Sequence, residues 1–436
     1  MKLTTGQNFI RQKKYFAALQ FFKTILALKP NKPEIFFYLG RVYSELQDFE
    51  NSLNYYNKYL DHDKDSINCL INLAILYFNI GNKKNSEQYF KKIIKLNKNY
   101  ILAYYGLFNL SNDLLTEKDF DYLKFILNNN NSLNLSDKSV INFLLSKKKK
   151  KEKNIEKELK FIENYHKQSF NSNFSYNKQS QFYYENIIGN FNDKIKFIKS
   201  VKSFNNIKPI FIIGLPRSGS TLIEALLVSG EKKIKTYGES NFFNIAIVDQ
   251  IKDRIFDKNL DIKNFEYVID LSLLKKSLQD RYKIDNEAIF LDKSLENIFN
   301  IEVILKIFPE AKFIHTSRNL NDSILSIYFS MLPELSWTLS LNTIKDYVHK
   351  YNKTISFFRK KFPKKILDIS LEKLTSNSEK LSKEIFNFCE LKWNKSSLEY
   401  YKRTDLFTKT LSSSQIRKKI SKENQSKYKQ YYFLLK

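Results

Sequence analysis

Residues 209–221 read PIFIIGLPRSGST and run directly into LIEALLVS. A short run rich in β-branched and aromatic residues, then a glycine-bearing loop, then an apolar stretch at helical spacing specify a strand, a turn and a helix. Gly214 and Gly219 permit tight backbone turning. The amides left free at the helix start, backed by its dipole, form a cradle for a phosphate. The layout is G-x-x-x-x-G followed by Ser220 and Thr221. Ser220 therefore stands where a nucleoside-triphosphate loop carries its lysine, which argues against ordinary triphosphate hydrolysis. Arg217, inside the loop, supplies a cation instead.

Working outward, three more apolar runs alternate with helical stretches: AIFLD (288–292), KFIHTS (312–317) and KILDIS (365–370). This alternation predicts a parallel sheet covered by helices on both faces, with ligands beyond the carboxyl ends of the strands. Immediately after the KFIHTS run stands RNLNDSILSIYF, with Arg318 at the expected strand end and Ser326 on the following helix. A guanidinium and a hydroxyl at that spacing can converge on one phosphate from two sides. His315 lies within an apolar strand and reads as a satisfied core residue, and Trp337 and Trp393 also read as core.

Upstream, the chain repeats with a period of about 34 residues. Phe9, Tyr43 and Tyr77 align, as do Ala18, Ser52 and Ser86, then Phe22, Tyr56 and Phe90, and then Leu39, Leu73 and Leu107. Small residues recur where two helices must approach closely, and large apolar residues recur on the faces that neighbouring units bury. This is the pattern of tetratricopeptide (TPR) helix pairs. A fourth unit is expected to begin at Tyr100. Two roles stay open for the array, one stabilising or dimerising, the other recruiting a protein partner.

From about Thr116 the period is lost, although helical spacing persists. The five lysines Lys147–Lys151 are read as a solvated helix end or loop, and the polar stretch QSFNSNFSYNKQSQ (168–181) as a linker or docking loop. The expected organisation is TPR repeats over 1–115, degenerate helical repeats and linker over 116–205, and an α/β domain of P-loop type over 206–436.

Composition bounds the rest. The chain has 436 residues, 73 Lys+Arg against 46 Asp+Glu, and a formal charge of +27, which favours anionic ligands. The lysines are spread over the whole length, so nucleic acid is not read as the partner. Cys69 and Cys389 cannot build a disulfide framework, and four scattered histidines offer no metal cluster. No apolar stretch approaches the roughly 20 residues needed to cross a bilayer. The opening MKLTTGQNFIRQKKYF lacks the apolar centre of a signal peptide. A cytoplasmic protein is expected.

The PRSGST loop, LDKS at 291–294 and the R-x-x-x-D-x-x-x-S-x-Y element from Arg318 to Tyr328 together resemble the cytosolic and tyrosylprotein sulfotransferases. Repeats preceding such a domain resemble the bacterial proteins that join TPR units to a sulfotransferase. The resemblance implies a 3′-phosphoadenosine 5′-phosphosulfate (PAPS) donor and no metal. It implies that Arg217, Ser218, Gly219, Ser220 and Thr221 surround the 5′-phosphosulfate, and that Arg318 and Ser326 bind the 3′-phosphate. Lys427, in QSKY, resembles a late lysine on the same phosphate. Lys293 resembles a lysine near the sulfuryl bridge, and Ser412 a serine near the same oxygen, with Ser413 and Ser414 as neighbours that fit equally. Glu239, in TYGES, matches the element beside the catalytic base of the tyrosylprotein branch. Leu320 replaces a proline common in the family, and VSGEKK (228–233) replaces its usual His-Pro stretch, so Glu224 and Glu231 stand as fallback carboxylates.

The chemistry asks for the same groups. Sulfuryl transfer is an in-line displacement that builds negative charge on the phosphate bridge oxygen while the acceptor loses a proton, so cations are needed at one end and a base at the other. The expected activity is sulfuryl transfer from PAPS to a hydroxyl acceptor of unspecified class. The alternatives are an inactive TPR scaffold that binds a nucleotide or a partner and, third, a phosphate-loop kinase.

Overall fold

A computed structural model describes residues 2–188, 195–204, 206–255, 267–282, 289–403, 406, 415–420 and 427–436. Two compact units are present, the first running to Phe161 and the second holding most of the chain from Ile162 onward. The segment expected as a single middle region, 116–205, is thus divided between them.

In the first unit, helices pair as the repeat predicts: α1 (Leu3–Arg11) with α2 (Tyr15–Leu28), α3 (Pro33–Glu45) with α4 (Phe49–Leu60), and α5 (Ile67–Asn79) with α6 (Lys83–Leu96). The small residues mark the close approaches. Ala18, Ser52 and Ser86 are all fully buried. The Ser52 hydroxyl donates to the Gly40 carbonyl at 2.8 Å, and Ser86 donates to the Ala74 carbonyl at 2.7 Å. One repeat apart, the same hydroxyl ties the second helix of a pair to the backbone of the first. Stacked rings recur at the same period, Tyr43 on Tyr55 and Tyr77 on Tyr89.

Beyond them come α7 (Ile101–Leu110), α8 (Glu117–Asn129) and α9 (Leu135–Lys151). A reciprocal capping box between Thr116 and Asp119 opens α8, stopping the preceding turn at the residue where the period fades. The lysine run forms the last turns of α9, where cations complement the helix dipole, and Lys148, Lys149 and Lys151 pair with Glu117, Glu152 and Asp113.

The expected linker at 168–181 is helical instead. It falls on the end of α10 (Ile155–Ser172) and most of α11 (Phe174–Phe182), broken only at Asn173. Within it, Ser172 donates to the Ser169 carbonyl at 2.8 Å, and Ser180 accepts the Ser336 hydroxyl at 2.7 Å. Buried Asn177 donates through Nδ2 to the carbonyls of Ser169 and Phe170, satisfying the backbone at the break.

The remaining elements are β1 (Ile195–Ile198), β2 (Ile210–Gly214), α12 (Ser220–Gly230), β3 (Lys235–Thr236), α13 (Phe242–Ile255), β4 (Tyr267–Asp270), α14 (Leu271–Arg281), β5 (Phe290–Asp292), α15 (Ile301–Ile307), β6 (Lys312–Ser317), α16 (Leu320–Tyr328), α17 (Leu341–Lys361), β7 (Ile366–Ser370), α18 (Leu371–Ser376) and α19 (Ser378–Phe388). A five-stranded sheet in the order β3-β5-β2-β6-β7 is parallel throughout, and β1 and β4 form a separate parallel pair. Every residue of β2 is buried, as expected of a central parallel strand covered on both faces. In the β2–β6 register, Gly214 faces Thr316. The two segments singled out in the sequence, 214–221 and 318–326, therefore leave the same sheet edge from adjacent strands.

Gly40 tests the repeat packing. A Cβ there would lie 2.7 Å from the ring of Tyr56, itself 1% exposed. Gly40→Ala gains helix propensity of about 1 kcal/mol at most but overpacks a filled interface at a cost of about 1–3 kcal/mol. A net fall in stability is expected in urea unfolding of the full chain.

Candidate active site

Tight packing shapes the loop after β2. A Cβ on Gly214 would meet Thr316 Oγ1 at 2.2 Å and its carbonyl oxygen at 2.8 Å, so only glycine lets the loop leave the strand beside β6. Ser218 Oγ then donates to the Leu215 carbonyl at 2.6 Å and shares a 2.6 Å hydrogen bond with Thr316 Oγ1. Arg217 has φ +69° and Gly219 has φ +98°. A left-handed arginine costs about 1–3 kcal/mol and persists where the surroundings hold it. The two reversals turn the chain sharply enough for α12 to begin at Ser220, so its first-turn amides open onto the loop.

Across the edge, Arg318 follows β6 and is almost fully buried, with Nη2 3.4 Å from Asp322 Oδ2. Asn319 caps α16 by accepting the Asp322 amide. Ser326 is buried four residues beyond Asp322, on the same face of α16. The late lysine arrives through aromatic docking. Tyr428 and Tyr431 both pack on Phe329 just past α16, and the Tyr432 hydroxyl donates to Asp322 Oδ1 at 3.1 Å. Burial, and then the guanidiniums of Arg217 and Arg318, push the Lys427 ammonium below the ordinary lysine range. Three cations distant in sequence thus share one field. An anion placed among them relieves their repulsion.

On the other side of β2, β3 and β5 build a second cluster. The Tyr237 amide donates to the Leu291 carbonyl and the Lys293 amide to the Gly238 carbonyl, each at 2.8 Å, extending the strand ladder past β3. Ser240 is pinned to Asp292 and the Asn241 amide to Ser294 Oγ. Glu239 is thereby fixed beside Lys293. The Lys293 side chain is only 1% exposed, with Nζ 3.2 Å from Glu224 Oε2, 3.1 Å from Glu239 Oε1 and 3.4 Å from Thr221 Oγ1. Burial would lower its pKa, but the carboxylates of Glu224 and Glu239 outweigh burial and hold it above the ordinary value. Their own situations differ: the Glu224 side chain is 7% exposed and Glu239 47%.

The loop, Glu239, Lys293, Arg318, Ser326 and Lys427 all fall within the second unit. Loop and lysine meet through Thr221, while Arg217, Arg318 and Lys427 meet electrostatically. Glu231, a fallback carboxylate, sits at the far end of α12, about 16 Å along its axis from the loop, and accepts the Lys233 amide. Ser412, with Ser413 and Ser414, lies outside the described residues. His315 is a core residue as read: it bonds Asp368 through Nδ1 and Tyr351 through Nε2, and burial keeps it below the ordinary histidine range despite Asp368. A cavity of about 210 Å³ opens at the carboxyl edge between Ser218, Thr316, Arg318, Ser323 and Arg359. Sequence reasoning missed Arg359 and Asp368, because neither belongs to a motif.

Two outcomes follow from these clusters. Lys293→Met leaves Glu224 as an uncompensated buried charge, so a loss of about 3–5 kcal/mol is expected by chemical denaturation, with Glu239→Ala costing less because Glu239 already meets solvent. Asp368 is the second. Burial would raise it, but its bonds to His315 and Arg359 prevail and bring it down to about 2. A depressed carboxylate contributes stability that is complete above its unfolded pKa of about 3.9 and is lost as pH falls through the folded value. Carbon NMR should find Asp368 still ionised near pH 3, and Asp368→Asn should flatten the acid limb of stability.

Residues 209–395 match the model of the sulfotransferase family, and residues 33–65 and 67–100 match the tetratricopeptide repeat model. An uncharacterized protein of Aquifex aeolicus (strain VF5) is 33% identical over 236 residues, covering 51% of this chain but only 31% of that protein. Solved structures similar to the chain include the sulfotransferase domain of the Synechococcus PCC 7002 olefin synthase, at 15% identity and TM-score 0.38, covering 54% of this chain and 91% of that domain. They also include the sulfotransferase domain from the curacin biosynthetic pathway, at 16% identity and TM-score 0.34, covering 53% and 92%. Residues 33–65 and 67–100 are thus tetratricopeptide repeats, and residues 209–395 are a domain of the sulfotransferase family.

Proposed function

We propose that the chain transfers a sulfuryl group from PAPS to a hydroxyl acceptor in the cytoplasm. The observation that carries this reading is the shared field of Arg217, Arg318 and Lys427 at the edge where the loop 214–221 opens. A donor with phosphates at both its 5′ and 3′ positions suits cations held on two adjacent strand ends. PAPS supplies a sulfuryl group on a phosphate bridge oxygen, and the chain's residues divide the remaining work. The α12 amides with Ser218, Gly219, Ser220 and Thr221 hold the 5′ end, and Arg318, Ser326 and Lys427 hold the 3′ end. Ser412 is assigned to the bridge oxygen. Lys293 and Arg217 receive the charge that builds on that oxygen, an effect typically worth about 10²–10³ in rate per placed donor. Half-exposed Glu239 takes the acceptor proton, worth roughly 10²–10⁴. The repeats, by their pattern, present a protein partner or an acceptor carried on one.

Thermal stability measured with adenosine 3′,5′-bisphosphate and with ATP–magnesium tests the donor. At a hundred times its Kd, the bisphosphate should stabilise by about 2.7 kcal/mol. Preference for ATP would favour a kinase, and indifference to both a scaffold. Arg318→Ala should weaken bisphosphate binding, whereas Glu239→Ala should retain binding and abolish sulfate transfer from labelled PAPS into a cell-extract acceptor pool.

A further inference from the structure

A charged side chain inside an apolar helix must be explained by its partner, because an unpaired buried carboxylate is costly. Glu224 is such a residue: α12 buries nearly every position around it, and both carboxylate oxygens are used. Oε1 accepts the Thr236 hydroxyl at 2.5 Å, and Oε2 lies 3.2 Å from Lys293 Nζ. Thr236 Oγ1 in turn accepts the Gly238 amide at 3.1 Å, at the turn that carries Glu239. Lys293 is thus held by two carboxylates of opposite situation. One is buried and immobilised from β3. The other is half exposed and bonded to Lys293 alone among the described residues.

We propose that Glu224 is a positioning residue that fixes the Lys293 ammonium against loop 214–221 throughout the reaction, leaving Glu239 as the exchangeable carboxylate. This rests on the donor reading above. It separates two roles that the sequence left open between the same residues. Glu224 is buried on α12 with both oxygens engaged, whereas half-exposed Glu239 can release Lys293 and accept a proton. With Glu224 in place, that release still leaves the lysine paired and aimed at Thr221. The groups facing Lys293 are Glu224 and Thr221 from α12 and Glu239 from the turn after β3. Its neighbour Asp292 is occupied by Ser240, Asn297 and the Ser294 amide.

The test compares Glu224→Gln, Glu224→Asp, Lys293→Met and the double variant Glu224→Gln/Lys293→Met, measuring bisphosphate binding, release of adenosine 3′,5′-bisphosphate against pH as the sulfuryl group of PAPS passes to hydroxyls of the cell-extract acceptor pool, and thermal midpoint. Glu224→Gln should slow release about 10²-fold while leaving bisphosphate Kd within about twofold, a loss confined to the transition state. Its alkaline limb should move to lower pH, since burial of Lys293 is then opposed by one carboxylate only. Glu224→Asp keeps the charge and should hold that limb near its original place. A Glu224→Gln rate and limb like those of the unaltered protein would overturn the proposal. If Glu224→Gln is too unstable to assay, the midpoints decide. Adding Glu224→Gln to Lys293→Met should raise the midpoint by removing the stranded carboxylate, and a further fall would overturn the pairing. Failure of the unaltered protein to bind bisphosphate would sink the donor reading instead, while the midpoint comparison would still judge the pairing.

Discussion

The side-by-side departure of two loops from β2 and β6 is the constraint on which the site depends. Gly214 has no room for a side chain because Thr316 fills it, and Ser218 folds back onto the same threonine. That contact fixes where Arg217 turns and where α12 starts, and the paired strand fixes where Arg318 emerges. A slipped register would separate them by a residue and reverse which face each side chain meets. The cation field at the edge is a consequence of backbone pairing before it is a matter of side-chain choice.

The same geometry explains an apparent liability. Lys427 is pushed below the ordinary lysine range by its own burial and by two arginines, so the described arrangement holds positive charge against its preference. Part of that charge is balanced locally, Arg318 by Asp322 and Lys293 by Glu224 and Glu239. A polyanionic ligand would relieve the repulsion on Lys427, and salt should screen that exposed lysine more than Arg318, whose side chain is almost fully buried.

The run PIFIIG was legible as a strand because a parallel strand buried on both faces is apolar without interruption, whereas KFIHTS and KILDIS were legible through their β-branched residues, although β7 at the sheet edge is partly exposed. The two-residue β3 was not. It has no period of its own and exists through its ladder to β5 and the Thr236–Glu224 bond. The polar run 168–181 misled because Ser and Asn favour turns in isolation, whereas here Asn177 spends its amide on the break between two helices. Glu224 offered a signal that went unused as such: a carboxylate in LIEALLVS calls for a buried cation. Lys427 could be matched only through resemblance, since its place follows from Tyr428 and Tyr431 docking on Phe329, a contact with no local signature.

The decisive measurement is a crystal structure with adenosine 3′,5′-bisphosphate bound. Its 5′-phosphate should rest on the amides at the start of α12 and its 3′-phosphate within hydrogen-bonding distance of Arg318, with Lys427 closing over it. A nucleotide seated away from the carboxyl edge, or one whose 3′-phosphate points away from Arg318 into solvent, would contradict that placement.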